Sequence, residues 1–315
     1  MEMIARTQRD ALPTRPVCAI VVTYHPDREF PERVGLILPQ VGGLIIVDNG
    51  SNETEVTMLQ ELAASPSITL VRNRRNLGVA SALNIGIREA VAQRFSWALL
   101  LDQDSRVVED LVAALFEVLA AHPERARVAV IGAGFSDLNR PSSEPHGALR
   151  AGADAAAGRT EPWEYAETVI TSGSLIPLAL HAIVGPFREE LFIDYVDSDY
   201  CLRARAKGYL TLNTRRVLMS HAIGAWSKHQ VLGMNKWTSN HSPDRRYYIA
   251  RNDTVMLREH GHYALGLWAL KSLSRRFRQC KRILLYEDLK ARKLIAVAQG
   301  WWDGVRGHLG PRDAA

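Results

Sequence analysis

The feature that most constrains this chain is a rhythm in its first hundred or so residues. Short apolar, β-branched runs alternate with helical stretches, and three of those runs stop at polar clusters that each contain an Asp. Val17–Thr23 stops at Tyr24-His25-Pro26-Asp27, Leu44–Val47 at Asp48-Asn49-Gly50-Ser51, and Trp97–Leu101 at Asp102-Gln103-Asp104-Ser105. Between them lie the helical patterns Glu32–Leu38 (closed by Pro39), Glu53–Ala64 and Ala80–Gln93, with Ile68–Val71 as a short strand. Strands without a polar face are covered on both sides, so the pattern predicts an α/β fold with a mostly parallel sheet flanked by helices. Ligands of such sheets bind outside the carboxyl ends of the strands, where the polar clusters fall.

Further on, Asp110–Ala121 reads as a helix and Val128–Gly132 as a strand, followed by a Pro-, Ser-, Gly- and Ala-rich loop over Asp137–Thr160. Order returns at Val169–Ile176, and the acidic run from Phe192 leads into a helix ending at Gly208. Tyr247–Trp302 is helical and amphipathic. We divide the chain into an N-terminal tail (1–16), a catalytic domain (17–250) with a donor-binding half (17–135) and an acceptor and base half (165–250), and a basic C-terminal helical extension (251–315).

Cys18, Cys201 and Cys280 are far apart and odd in number, which predicts a reduced, cytoplasmic protein without disulfides. Met1–Pro16 has no apolar core, so no signal peptide is expected, and no run reaches the ~20 apolar residues of a membrane span. Net charge is +5, but Lys271–Lys293 holds nine Lys or Arg against two acids, which leaves the rest of the chain slightly acidic. That segment points to an anionic surface, and Trp301 and Trp302 add the amphipathic character of a headgroup-level helix. The neighbouring apolar residues, Leu265 to Leu273, Ile283 to Leu285, Leu294 and Ile295, are expected mostly to pack on the catalytic domain.

Two carboxylates at i and i+2 after a buried strand, Asp102 and Asp104, offer hard oxygen ligands for Mg2+ or Mn2+, which also take substrate phosphates. A solvated turn or helix cap is the plain alternative. A second group, Asp194, Asp197 and Asp199, crowds carboxylates together, which raises a pKa toward the range of a general base. Acids favoured at a helix N-terminus would look the same. Gly132-Ala133-Gly134 lacks the third glycine of a dinucleotide fingerprint and follows a late strand, which argues against a dehydrogenase.

The motifs together resemble the family 2 inverting glycosyltransferases of GT-A fold, in particular bacterial rhamnosyltransferases that use dTDP-L-rhamnose. The resemblance rests on V-V-T-Y-H-P (Val21–Pro26), V-D-N-G-S (Val47–Ser51), N-L-G-V-A-x-A-L-N-x-G (Asn76–Gly86) and L-L-L-D-Q-D-S (Leu99–Ser105). It continues through S-G-S-L-I (Ser172–Ile176), L-F-I-D-Y-V-D-S-D-Y-C-L-R (Leu191–Arg203), H-A-I-G (His221–Gly224), R-R-Y-Y-I-A-R-N (Arg245–Asn252) and G-W-W-D-G-V-R-G (Gly300–Gly307).

What the resemblance implies is donor binding by Thr23, Asp48, Asn76, Gly78 and Asp102, and metal binding by Asp104 and His221. The family's Glu-Asp pair falls on Val196 and Asp197, which places the catalytic base at Asp197, with Asp194 and Asp199 as alternatives. Arg245, Arg246 and Arg251 are candidate diphosphate or acceptor contacts, or an exposed basic helix. The implied reaction is metal-dependent transfer of L-rhamnose to a saccharide or glycolipid in polysaccharide, O-antigen or rhamnolipid synthesis, at the inner membrane face. Competing readings are a transferase for another dTDP- or UDP-sugar, a sugar nucleotidyltransferase, and a basic membrane or nucleic-acid binder. The nucleotidyltransferase lacks its basic glycine-rich loop, and the binder leaves both acid clusters unused, so no nucleic-acid partner is expected.

Overall fold

The computed structural model describes residues 17–137, 161–221, 227–231, 234–260 and 265–312, with side chains omitted at 221, 227–231, 234–237 and 265–272. The N-terminal tail and nearly all of the expected 137–160 loop lie outside the described residues.

The chain opens with β1 (Val17–Thr23), α1 (Phe30–Ile37), β2 (Gly43–Asp48), α2 (Glu53–Leu62), β3 (Ile68–Arg72), α3 (Val79–Ala92) and β4 (Trp97–Asp102). Pro39 does not simply end the first helix, because a short 3-10 turn over Leu38–Gln40 follows it. Next come β5 (Arg106–Val107), α4 (Leu111–Ala121), β6 (Val128–Asp137), β7 (Trp163–Tyr165), β8 (Ser174–Pro177), α5 (Leu178–Val184) and α6 (Val196–Ala206). The final elements are β9 (Leu210–His221), the β10 (Ser227–Val231) and β11 (Met234–Thr238) hairpin, α7 (Pro243–His260), α8 (Leu265–Tyr286) and α9 (Lys290–Arg306).

The main sheet runs β3-β2-β1-β4-β8-β6-β9-β5, with β7 also paired to β9. β3, β2, β1 and β4 are parallel throughout. Beyond β4 the sheet is mixed, since β8 lies antiparallel to both β4 and β6 while β6 and β9 are parallel. The chain winds outward from β1 to β3 and then returns to place β4 on the other side of β1. That reversal opens a crevice at the carboxyl ends of β1 and β4.

Alternation along β1 divides the core. Val17, Ala19 and Val21 point to one face with Phe30, Val34 and Leu115, while Cys18 and Ile20 point to the other with Leu83, Ile87 and Tyr200. All three cysteines are free thiols, and burial pushes Cys18 up to about 12.

α7 runs through residue 250, and α9 lies against it. A Cβ on Gly300 would come 2.2 Å from the Tyr247 carbonyl oxygen, and one on Gly304 2.6 Å from that of Arg251, so only glycine permits this approach. The G-W-W-D-G segment is therefore a helix contact. A buried cluster reinforces it: Glu287 accepts from Arg246 and, at 3.0 Å, from Lys293.

The basic segment divides. Arg275 and Arg276 pair inward with Asp253, and Lys293 is buried, while Arg278, Lys281, Arg282, Lys290 and Arg292 face solvent. The expectation that its apolar neighbours pack inward is corrected for most described ones. Ile283 is buried and Leu294 half-buried, but Leu273, Leu284, Leu285 and Ile295 are exposed, as are Trp301 and Trp302. Among the described residues no helix is long and apolar enough to cross a membrane.

Candidate active site

A cavity of about 590 Å³ opens at the carboxyl ends of β1 and β4, and Asn49, just past β2, lines it too. Its lining includes Asn49, Asn76, Gly78, Asp102, Asp104, the segment Phe192–Asp197, and Arg245.

Asn49 organises the first side. Its Nδ2 donates to Asn76 Oδ1 (2.9 Å) and the Gly78 carbonyl (3.2 Å), while its Oδ1 accepts from Asn73 Nδ2 (3.0 Å) and Leu77 N–H (3.1 Å). Gly78 has φ 86°, and a Cβ there would lie 2.6 Å from the Phe192 carbonyl oxygen. The loop before α3 thus sits against the acidic segment with no room for a side chain.

The D-x-D segment is held by what surrounds it. Ser172 Oγ accepts the Asp102 N–H at 3.2 Å and contacts Ser105 Oγ at 2.5 Å. Gln103, the middle residue, accepts the Tyr24 N–H (2.7 Å) and donates to its carbonyl (3.1 Å). Both aspartates line the cavity.

The acidic segment is strained. Phe192, Asp194 and Tyr195 have φ of 65°, 62° and 65°, unusual for residues with side chains. Buried groups on α7 hold it in place. Asn252 Nδ2 donates to the carbonyls of Leu191 (2.9 Å), Ile193 (2.8 Å) and Asp194 (2.9 Å), and Arg251 Nη2 to those of Glu190 (3.0 Å) and Leu191 (2.9 Å).

The three acids then take different environments. Asp199 is fully buried among Arg203 (2.7 Å), Arg188 (3.3 Å) and His260 (3.3 Å) and lies off the cavity. Burial alone would raise its pKa, but the bond to His260 and the two guanidiniums hold it below the usual carboxylate range. Asp194 pairs with Arg245 at 3.1 Å. Asp197, at the start of α6, accepts the Ser198 N–H at 2.7 Å, and among the described residues no cation pairs with it. Burial first, then the Asp194 and Asp102 charges, push it up to about 6, against the opposing Ser198 N–H.

Among the described lining residues, Arg245 is the one cation. Desolvation would lower its pKa, but Asp194, Asp102 and Asp104 outweigh this and raise it. Among the described residues four carboxylates and one guanidinium line the cavity, a wall that repels a bare diphosphate and suits a divalent cation. Asp199, Glu259 and His260 also come within ligand distance of one another, but the first two are already paired with Arg188.

Of the positions read from sequence, Asn76, Gly78, Asp102, Asp104, Asp197 and Arg245 meet at the cavity. Thr23 and Asp48 are buried behind it, Thr23 Oγ1 donating to Asp48 at 3.4 Å while Asp48 also accepts the Ser51 N–H at 3.3 Å. Arg251 is buried beneath the acidic segment, over the Tyr248 ring at 4.9 Å. Arg246 is spent on Glu287. His221 pairs through its backbone with Asp137, and its side chain lies outside the described residues. Sequence reading passed over Asn49, Tyr24, Gln103, Ser172 and Tyr195, although each sits inside or beside a motif already quoted.

The sequence profile described as Glycosyl transferase family 2 matches residues 39–164. A dTDP-rhamnosyl transferase, RfbF of Shigella flexneri, is 32% identical over 249 residues, covering 77% of this chain and 80% of RfbF. Among solved structures, S. aureus TarS 1-349 superposes with a TM-score of 0.57 at 14% identity, over 92% of this chain and 80% of TarS 1-349. A mannosyltransferase from Pyrobaculum calidifontis, PcManGT with GDP-Man and Mn2+, gives 0.55 at 15% identity, over 92% of this chain and 88% of its own. These likenesses show the GT-A fold.

Proposed function

The chain belongs to glycosyltransferase family 2, and we propose that it transfers L-rhamnose from dTDP-L-rhamnose to a hydroxyl of a saccharide or glycolipid, with inversion at C1. The observation that carries the reading is one cavity with two kinds of carboxylate. Asp197 is held near 6 by burial, and the Asp102–Asp104 pair follows β4. The rhamnosyl donor is supported by the name of the Shigella relative.

In this reading Asp197 accepts the acceptor's hydroxyl proton as the hydroxyl oxygen bonds to C1. The C1–O bond to the diphosphate breaks in the same displacement, and its electron pair leaves with dTDP. A carboxyl near 6 is largely ionised at neutral pH yet basic enough for the task. Asn49, Asn76 and Gly78 shape the loop for the donor, and Arg245 offers a fork to phosphate oxygens. Asp102 and Asp104 would hold Mg2+ or Mn2+, since two hard carboxylates on an otherwise anionic wall match that ion's preference. When bound there, the cation supplies charge neutralisation for the departing diphosphate. We place the reaction on the cytoplasmic side, where the three free thiols stay reduced.

The test is turnover of dTDP-L-rhamnose, UDP-glucose and GDP-mannose by purified protein with Mg2+ or Mn2+. Metal-dependent consumption of dTDP-L-rhamnose in preference to the others is expected. If none of the three is consumed, the reading is wrong.

A further inference from the structure

On α8, Leu273, Phe277 and Leu284 fall within 40° of one another around the helix axis, at 100° per residue, and all three are at least half exposed (67%, 71% and 52%). The face that packs inward is elsewhere, at Ile283 and Arg276. An exposed stripe of this kind marks an interaction surface.

Its flank says what it meets. Lys281 and Arg278 follow around the helix on the side away from the packed face, both exposed and neither in an ion pair within the chain among the described residues. The only acids in the α8–α9 connection are Glu287, which is buried, and Asp288. An apolar stripe beside unpaired cations on long apolar stems is complementary to a bilayer surface with anionic headgroups.

The same helix touches the cavity. Arg275 donates to Tyr195 Oη at 2.8 Å and to Asp253 at 3.2 Å, and Tyr195 lines the cavity between Asp194 and Asp197. Arg275 lies on the opposite side of α8 from the stripe, so a membrane seated on the stripe lies one helix diameter, about 10 Å, from that side of the cavity.

We propose that α8 is a docking surface for an anionic membrane, seated by Leu273, Phe277 and Leu284 with Lys281 and Arg278, and that it brings the cavity to a lipid-borne acceptor. The docking surface stands on the exposure and charge of α8. Only the delivery of an acceptor rests on the transferase reading.

The test is co-sedimentation of the full chain with vesicles of phosphatidylcholine alone or with 30% phosphatidylglycerol. Two variants are compared with wild type, Phe277→Ser/Leu284→Ser and Arg278→Gln/Lys281→Gln. Wild type should bind the anionic vesicles at least tenfold more tightly than the neutral ones. Removing two charges, each contributing roughly fivefold, should cost about 25-fold on anionic vesicles. The apolar variant should lose binding to both, and both variants should keep the wild-type rate of donor hydrolysis. Equal binding of wild type and variants, or no binding of wild type to anionic vesicles, overturns the proposal. So does size-exclusion chromatography showing a wild-type dimer that the Phe277→Ser/Leu284→Ser change splits, since the stripe would then be a self-interface. If donor turnover is absent in wild type but vesicle binding follows this pattern, docking holds and the transferase reading fails.

Discussion

Asp197→Asn is expected to do two things that rarely coincide, abolish transfer and stabilise the fold. Burial and neighbouring carboxylates hold Asp197 at about 6 against a usual 3.8, so the folded protein binds its proton more tightly than the unfolded chain does. Its stabilising effect is full below about pH 3.8 and is lost as pH rises through 6. Ionising it in place costs on the order of 2–3 kcal/mol, at 1.36 kcal/mol per tenfold in proton affinity. Asparagine keeps an oxygen for the Ser198 N–H and carries no charge. At pH 8 the variant should melt several degrees above wild type, and near pH 4 the two should coincide. Removal of the base should lower kcat by about 10²–10⁴. In wild type, kcat/KM should rise with pH to a plateau just above 6. Differential scanning calorimetry at both pH values and a pH–rate profile check this. An Asp197→Asn variant that transfers sugar normally, or melts at the wild-type temperature at pH 8, refutes the assignment.

Three further substitutions separate the parts of the site. Arg245→Ala removes the cavity's guanidinium and should weaken donor binding at least tenfold by titration calorimetry, with a smaller effect on melting, because its partner Asp194 lines the open cavity. Asn252→Ala strips three hydrogen bonds from the strained acidic segment. It should destabilise the fold by about 2–3 kcal/mol in urea and lower kcat more than it raises KM. Gly300→Ala drives a methyl into the Tyr247 carbonyl and should destabilise by roughly 1–3 kcal/mol in the same assay, with donor affinity retained in the folded fraction.

β1, β2 and β4 were legible because each holds an uninterrupted apolar run, which only a doubly covered strand tolerates, whereas the edge strand β3 is short, broken by Thr69 and only partly buried. β9 was not, since Thr211, Asn213, Thr214, Arg215 and Arg216 break the run where it is flanked by short antiparallel strands. The D-x-D and the acidic cluster were readable as clusters, but roles within them depend on direction. Asp197 and Asp199 are two apart on a helix and so point about 200° apart, one to the cavity and one into a nest of cations. Arg245 and Arg251 diverge around α7 in the same way. In V-D-N-G-S it is the Asn, just past the strand, that lines the cavity, while Asp48 ties the turn together. The C-terminal glycines were legible as a motif but not as a close helix contact, because the partner lies about fifty residues away.

The central claim is that the carboxylates after β4 admit a sugar nucleotide only with a divalent cation. Titration of dTDP-L-rhamnose into wild type and Asp104→Ala, each with and without Mn2+, tests it directly. The account predicts binding at least tenfold tighter with Mn2+ in wild type, and loss of that difference in Asp104→Ala. Equal affinity with and without the cation, or a metal effect that survives in Asp104→Ala, would contradict it.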